Sequence, residues 1–194
     1  RVTVAAVGGY GRREMSPFSD IDVAFITSGE EDDSTDQVVK RAFRLLMDVV
    51  ERAGLSVGYS YRSVSEVENL PLDTQTALLD ARRVAGSTAL FDAFEAALRR
   101  AIVPAAFVVG HTDARAVSSD TIFSVEPNLK EGQGGLRDFH TARWIARIAL
   151  GADADGAWET LRARGILRDA EIEEMWAAVE FIATARNALH LLAG

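Results

Sequence analysis

The start of the chain alternates between apolar runs and breaks that contain glycine or acidic residues. Residues 2–7 form an apolar run of strand length that stops at residues 8–11, Gly-Gly-Tyr-Gly, a turn that uses glycine's tolerance of positive φ. Residues 20–26, Asp-Ile-Asp-Val-Ala-Phe-Ile, form a second strand-like segment, and successive side chains of a strand point to opposite faces. The pattern predicts Asp20 and Asp22 on one face of the second strand and, on the other, Ile21, Val23 and Phe25.

Further along, the patterning changes from strand-like to helical. A helical pattern over residues 36–53 ends at Gly54, and residues 55–61 form the third predicted strand. A short helical turn near residues 63–69 is followed by helical segments at 73–81, 88–102, 137–150, 154–164 and 169–192, whereas 103–125 shows no clear pattern. Strands therefore concentrate early and helices late, which predicts an α+β core over residues 1–115 and an all-helical domain over residues 116–194.

Composition narrows the function classes. The chain has 194 residues, 48% hydrophobic and 26% charged, enough for a substantial core, and no apolar segment is long enough to cross a membrane. A formal net charge of −8 without a basic stripe disfavours a nucleic-acid partner, because neutralisation of phosphates supplies most of that affinity. The absence of cysteine excludes disulfides and thiolate metal sites and agrees with a cytoplasmic location. Because the chain begins without Met inside a strand pattern, we expect a truncated N-terminus.

The glycine turn and the acidic residues of the second strand together suggest a binding site for a metal ion and phosphates. Two carboxylates at i and i+2 of a strand, Asp20 and Asp22, project to the same side and are able to share Mg²⁺, or Mn²⁺ in its place. Such an ion binds the phosphates of a nucleoside triphosphate. The residues positioned to hold those phosphates, through backbone, charge or hydroxyl, are Gly8, Gly9, Arg12 and Ser19. Each part alone also has an ordinary structural explanation, as a turn or a solvated strand end.

A second segment, residues 126–140, places cationic side chains around two adjacent glycines. Lys130 and Arg137 are candidate nucleotide ligands, and Arg137 is the stronger because a guanidinium suits bidentate phosphate contact. The structural alternative is a turn that opens a helix, with Asp138 favoured at the helix N-terminus and His140 as a hydrogen-bonded structural histidine.

Together the two segments resemble one branch of the nucleotidyltransferase superfamily that includes DNA polymerase β. Residues 8–22, GGYGRREMSPFSDID, are similar to the pattern G-G-Y-G-R-x-E-x-x-P-x-S-D-I-D of the bacterial PII-protein uridylyltransferases. Residues 127–140, PNLKEGQGGLRDFH, are similar to that family's segment P-N-x-K-x-x-x-G-G-L-R-D-x-H, which joins the transferase core to a helical domain. Weaker similarity lies between them, so the resemblance covers most of the chain.

The resemblance implies a polymerase β-like core, a small mixed sheet with helices. It also implies a Mg²⁺-dependent enzyme that transfers UMP from UTP to a tyrosine of the PII signalling protein and releases pyrophosphate. By motif match, Asp20 and Asp22 are catalytic and bind Mg²⁺, while Gly8, Gly9 and Ser19 hold the triphosphate. The nucleophile then belongs to the substrate. In this family, control by glutamine and the uridylyl-removing activity reside in other domains, which are not expected in this chain.

One departure concerns the third carboxylate that the superfamily often carries on a later strand. Residues 55–61 contain no acid. Asp73 and Glu126 are candidates to replace it, although Asp73 is better explained as the N-cap of its own helix. Because this acid is missing, one alternative interpretation is a degenerate regulatory domain that binds nucleotides without catalysis. A PII adenylyltransferase using ATP is another alternative, whereas the second segment disfavours a small-molecule acceptor and the acidic charge disfavours an RNA end.

Overall fold

A computed structural model describes residues 1–29, 33–117, 128–152 and 156–193 of the chain. The chain divides into two compact units, Arg1–Ile102 and Val103–Gly194. They separate before the predicted boundary at residues 115–116, because residues 104–117, which lie in the stretch without a clear pattern, form a helix of the second unit. None of the described helices is long and apolar enough to cross a membrane.

The first unit is built on four strands, β1 (Val2–Ala6), β2 (Ile21–Thr27), β3 (Val57–Ser63) and β4 (Arg82–Gly86). They form one sheet in the order β3-β2-β1-β4, in which β1 is antiparallel to β2 and β4, while β2 and β3 are parallel. The helices are α1 (Gly8–Arg12), α2 (Asp33–Arg52), α3 (Leu72–Leu79) and α4 (Thr88–Ala101), with a 3₁₀ turn at Val64–Asn69. The predicted fold class, a small mixed sheet with helices, is confirmed.

Both faces of β2 are buried. Val23 and Phe25 form a cluster with Val39 of α2, so α2 covers that face of the sheet. Ala24 and Ile26, whose side chains alternate to the opposite face, have no exposed surface, and α4 packs against β1 and β2. The predicted alternation is confirmed, and it places Asp22 on the face that points away from α2.

Three local features differ from the sequence-based expectation. β4 was not expected, because it is a short edge strand with mostly exposed residues and lacks the apolar alternation that identifies a half-buried strand. The glycine turn continues as the short helix α1, in which Gly8 has a φ of +55°. Asp73 is not the N-cap of α3, since Pro71 holds that position and the Asp73 carboxylate accepts the Thr74 N–H at 2.7 Å.

The second unit is helical among its described residues, as predicted. Its central helix, α6 (Leu136–Leu150), packs against α5 (Pro104–Val117), α7 (Ala157–Ala163) and α8 (Asp169–Ala193). Trp144 of α6 is 1% exposed, and Phe139 stacks on Trp158 with 4.7 Å between ring centroids. These aromatic side chains form the core of the unit.

Candidate active site

Three segments of the first unit meet at one edge of the sheet. Because β1 and β2 are antiparallel, the end of β1 lies beside the start of β2, and the Val7 N–H donates to the Asp22 carbonyl at 3.0 Å. Because β2 and β3 are parallel, their starts are also adjacent, and the Ile21 N–H donates to the Ser56 carbonyl at 2.8 Å. The glycine turn, the acidic pair and the start of β3 are thereby brought together.

The Asp22 carboxylate lies directly over two glycines. A Cβ atom placed on Gly8 would stand 3.2 Å from Oδ2 of Asp22, and one placed on Gly58 would stand 2.2 Å from Oδ1. Gly8 also has a φ of +55°, a conformation that strains residues with a side chain. The sequence alone does not identify Gly58 as a site residue, because only the register of β2 and β3 places it opposite Asp22. Glycines from two different segments therefore make the space that Asp22 occupies.

Ser19 and Asp20 approach this edge on the segment that precedes β2. The Ser19 N–H donates to the Ser16 carbonyl at 3.1 Å, which closes a turn, and Phe18 within that turn has a φ of +60°. Asp20 is exposed, whereas Ser19 is half-buried. The predicted site residues that the structure brings to one edge are thus Gly8, Gly9, Ser19, Asp20 and Asp22.

The chemistry of the acidic pair fits Mg²⁺. This ion prefers oxygen ligands and is usually held by one or two carboxylates together with substrate phosphates. In the described part of the chain, no group of three or more acidic or histidine side chains is arranged to hold a metal, so Asp20 and Asp22 lack a third such ligand there. Of the two predicted substitutes, Asp73 bonds the Thr74 N–H of its own helix, and Glu126 lies outside the described residues.

Arg12 ties the glycine turn to the end of α3. Its Nη1 donates to Oδ2 of Asp80 at 2.7 Å, and its Nε donates to Oε2 of Glu14 at 2.7 Å. Burial acts to lower the pKa of the Arg12 guanidinium, but the carboxylates of Asp80 and Glu14 outweigh it and raise that pKa above its ordinary value. Arg12, which the sequence predicts as a phosphate ligand, is therefore already paired with two carboxylates.

A second arginine holds the same turn from the start of β4. Arg82 donates from Nη2 to the Tyr10 carbonyl at 3.1 Å and from Nε to the Gly11 carbonyl at 3.3 Å. Its guanidinium carbon lies 5.4 Å from the centroid of the Tyr10 ring. A Cβ atom on Gly11 would stand 2.2 Å from the Asp80 carbonyl oxygen, so this close approach of two backbones requires glycine.

Lys130 and Arg137 lie in the second unit, Lys130 in the turn that precedes α6 and Arg137 at the second position of α6. Arg137 forms a two-pronged ion pair with Glu131, in which Nε lies 2.9 Å from Oε2 and Nη2 lies 2.7 Å from Oε1. Its guanidinium carbon is 5.4 Å from the centroid of the Trp144 ring. Lys130 is more exposed, and its Nζ lies 3.9 Å from Oε1 of Glu131. Both predicted nucleotide ligands therefore share one carboxylate in this structure.

Asp138 and His140 make contacts that stabilise the second unit. Oδ2 of Asp138 accepts the Gly134 N–H at 2.7 Å, a bond that closes the turn at the start of α6. His140 is 5% exposed, and its ring centroid lies 5.8 Å from that of Phe139 and 5.9 Å from that of Trp144. These contacts agree with the structural explanation of this end of the segment.

Known proteins are similar in sequence to this chain. Residues 108–194 match the sequence profile of a family described as GlnD PII-uridylyltransferase. The whole chain is similar to proteins named bifunctional uridylyltransferase/uridylyl-removing enzyme from Burkholderia orbicola (strain MC0-3), Burkholderia lata and Burkholderia mallei (strain SAVP1). Each is 38% identical to this chain over 200 residues. The alignments cover 100% of this chain but 22% of each relative, so the chain spans 22% of the length of those proteins.

Proposed function

Since this chain belongs to the PII-uridylyltransferase family, we propose that its first unit performs the Mg²⁺-dependent transfer of UMP from UTP to a tyrosine hydroxyl of a PII protein. The observation that carries the proposal is the position of Asp22, whose carboxylate borders Gly8 of the glycine turn two residues after Asp20. A pair of carboxylates beside a glycine turn is the arrangement that a metal-bound triphosphate needs. The description of the matching family names PII, and that name supplies the class of acceptor in this proposal.

Each residue at this edge has a role in the proposed reaction. Asp20 and Asp22 would hold Mg²⁺, which when bound neutralises charge on the phosphates. Gly8 and Gly9 let the phosphates approach the backbone, and the Ser19 hydroxyl donates to a phosphate oxygen. The tyrosine oxygen forms a bond to the α-phosphorus as the bond to pyrophosphate breaks, and the hydroxyl proton is released to solvent. The residues of this chain act by orienting the two reactants. Contacts of Lys130 and Arg137 with nucleotide stay a prediction from the sequence.

One observation favours a second candidate, a regulatory domain that binds nucleotide without transferring it. Within the described ranges, the acidic pair has no third acidic or histidine ligand. The second candidate predicts binding without turnover, and Mg²⁺ held by two carboxylates and the substrate's own phosphates is compatible with either function. An assay of transfer separates them.

The test is transfer of label to PII. The chain is incubated with a purified PII protein, Mg²⁺ and UTP or ATP radiolabelled at the α-phosphate. We expect label on a PII tyrosine with UTP and a loss of at least about a hundredfold in Asp20→Asn and Asp22→Asn, because charge stabilisation by a metal is worth several kcal/mol. Asp92→Asn, which changes an exposed acid of α4, is the matched control and should transfer label at the wild-type rate.

Three other outcomes would change the proposal. Label from ATP alone would make the chain an adenylyltransferase. Binding of nucleotide without transfer from either triphosphate would overturn catalysis and favour the regulatory domain. Equal transfer by the wild type and Asp22→Asn would show that the acidic pair does not form the metal site.

A further inference from the structure

Gly58 is the residue of β3 that stands directly opposite Asp22. In the parallel pairing of β2 and β3, the partner of Asp22 is Gly58, and the pairs on either side are Ile21 with Val57 and Val23 with Tyr59. Paired residues of adjacent strands direct their side chains to the same face of a sheet. A side chain at position 58 would therefore point to the face that carries the Asp22 carboxylate.

The space above Gly58 is occupied by that carboxylate. A Cβ atom on Gly58 would stand 2.2 Å from Oδ1 and 3.4 Å from Cγ of Asp22, and the first distance is shorter than real Cβ contacts. Apart from Gly58 and its two chain neighbours, no other atom of the residues that the structure describes lies within 4 Å of this Cβ position. The neighbour that must move is therefore the end of the Asp22 side chain and not the backbone of the sheet.

Backbone conformation does not explain the glycine. Gly58 is not one of the glycines with positive φ, so its strand conformation is open to any residue. Glycine inside a strand weakens the strand, since it adds chain entropy to the unfolded state and contributes no packing. The feature that requires glycine here is the Asp22 carboxylate.

We propose that Gly58 is a positioning residue: by leaving out a Cβ atom, it makes the space that sets the orientation of the Asp22 carboxylate toward Mg²⁺ and the nucleotide. This inference rests on the proposed function, because it assumes that Asp22 binds the metal. It also explains the absence of an acid at this point of β3. A third carboxylate at position 58 would bring its own Cβ into contact with Oδ1 of Asp22.

The experiment measures binding of Mn²⁺, as a spectroscopic substitute for Mg²⁺, to the 194-residue chain in the presence of UTP. Free Mn²⁺ is followed by electron paramagnetic resonance, and no turnover is needed. We expect Gly58→Ala to raise the dissociation constant of Mn²⁺ at least about tenfold, the usual effect of disturbing the support of a metal ligand. Ser60→Ala is the matched control, because Ser60 is a half-buried residue two positions along the same face of β3, and it should change the constant less than about twofold.

A double-mutant cycle, measured as thermal unfolding midpoints, checks that Gly58→Ala acts through the Asp22 side chain. In the wild-type background, Gly58→Ala should lower the unfolding midpoint, because the added methyl group meets the carboxylate. In an Asp22→Ala background, the same change should raise the midpoint, because the carboxylate is gone and alanine is the better strand residue. If Gly58→Ala alone fails to fold, recovery of folding in the double variant supports the proposal, and failure of the double variant overturns it.

The two proposals fail in different ways. Absence of Mn²⁺ binding in the wild type, or equal binding in the wild type and Asp22→Asn, would overturn the proposed metal site itself. Wild-type binding that is lost in Asp22→Asn but unchanged in Gly58→Ala would overturn only the positioning role. A midpoint that shifts in the same direction and by the same amount in both backgrounds would also overturn that role.

Discussion

Arg12 and Asp80 form an ion pair that is nearly closed to solvent. Nη1 of Arg12 lies 2.7 Å from Oδ2 of Asp80, and the two side chains are 10% and 1% exposed. The pair joins the glycine turn to the end of α3. Because Gly8 belongs to the same turn and borders Asp22, the pair supports the acidic site as well as the fold.

We expect Asp80→Ala to lower the free energy of unfolding of the first unit by about 3 to 5 kcal/mol, because it leaves a buried guanidinium without its main partner. Glu14→Ala is the comparison, since it removes the second carboxylate that is paired with Arg12. The Glu14 side chain is 35% exposed. It should cost about 1 kcal/mol or less. Urea unfolding followed by circular dichroism measures both losses, and equal losses would contradict the importance of the buried pair.

Gly11→Ala should destabilise the first unit through its backbone. The new Cβ would stand 2.2 Å from the Asp80 carbonyl oxygen and 2.9 Å from the Ala6 carbonyl oxygen, and neither atom moves without a shift of the chain. We expect a loss of about 3 kcal/mol, the upper end for overpacking a core. Gly54→Ala tests the effect of positive φ alone, because Gly54 has a φ of +66° and, among the described residues beyond its two chain neighbours, no atom lies within 4 Å of an added Cβ. This change should cost about 1 to 2 kcal/mol. A larger loss in Gly54→Ala than in Gly11→Ala would contradict this account.

The parts of the first unit that depend on local pattern were predictable from the sequence. Period-two alternation places Ile21 and Val23 against α2 and Asp22 on the opposite face, because strand geometry fixes which residues share a side. The sequence also predicts the glycine turn and the acidic pair as one site, and the fold places Gly8 beside Asp22, while binding of metal and phosphate there stays a prediction.

The parts that depend on register and distant pairing were not predictable. Asp80 lies 68 positions from Arg12, and nothing in the local sequence around either residue marks them as partners. Gly58 lies beside the Asp22 carboxylate only because β3 pairs with β2 in this register. In the same way, the sequence shows Arg137 as a free cation, whereas folding places Glu131 against it in a two-pronged ion pair.

Arg137→Ala separates a structural from a nucleotide-binding role. The Arg137–Glu131 pair is 32% and 40% exposed, so its loss should cost less than about 1 kcal/mol of stability. If Arg137 binds phosphate, as the sequence predicts, the dissociation constant for UTP should rise at least about tenfold, because a charged hydrogen bond is worth about 1.5 to 3 kcal/mol. Isothermal titration calorimetry measures the affinity. Arg168→Ala, which breaks an exposed pair with Glu171, is the control, and an equal affinity in all three proteins would refute the predicted contact.

His111 makes the stability of the second unit depend on pH. Its ring centroid lies 4.5 Å from that of Phe107 and 5.8 Å from that of Trp144. Burial among these rings, together with the positive charge of Arg137, lowers the pKa of His111 below its ordinary value. The unfolded chain, with an ordinary histidine pKa of about 6.5, therefore binds a proton at a higher pH than the folded unit does. The contribution of neutral His111 is fully present above about pH 6.5 and is lost as the pH falls toward the lowered folded-state pKa.

His111→Phe should remove this dependence while it keeps an aromatic ring between Phe107 and Trp144. Urea unfolding at pH values from about 7.5 to 5.5 should show that the free energy of unfolding falls more steeply in the wild type than in the variant. All other residues are the same in both proteins, so the difference between the two curves isolates His111. Arg137→Ala should reduce the difference, because it removes one of the two causes of the lowered pKa. Parallel curves for the wild type and His111→Phe would show that burial and Arg137 do not disfavour protonation of His111.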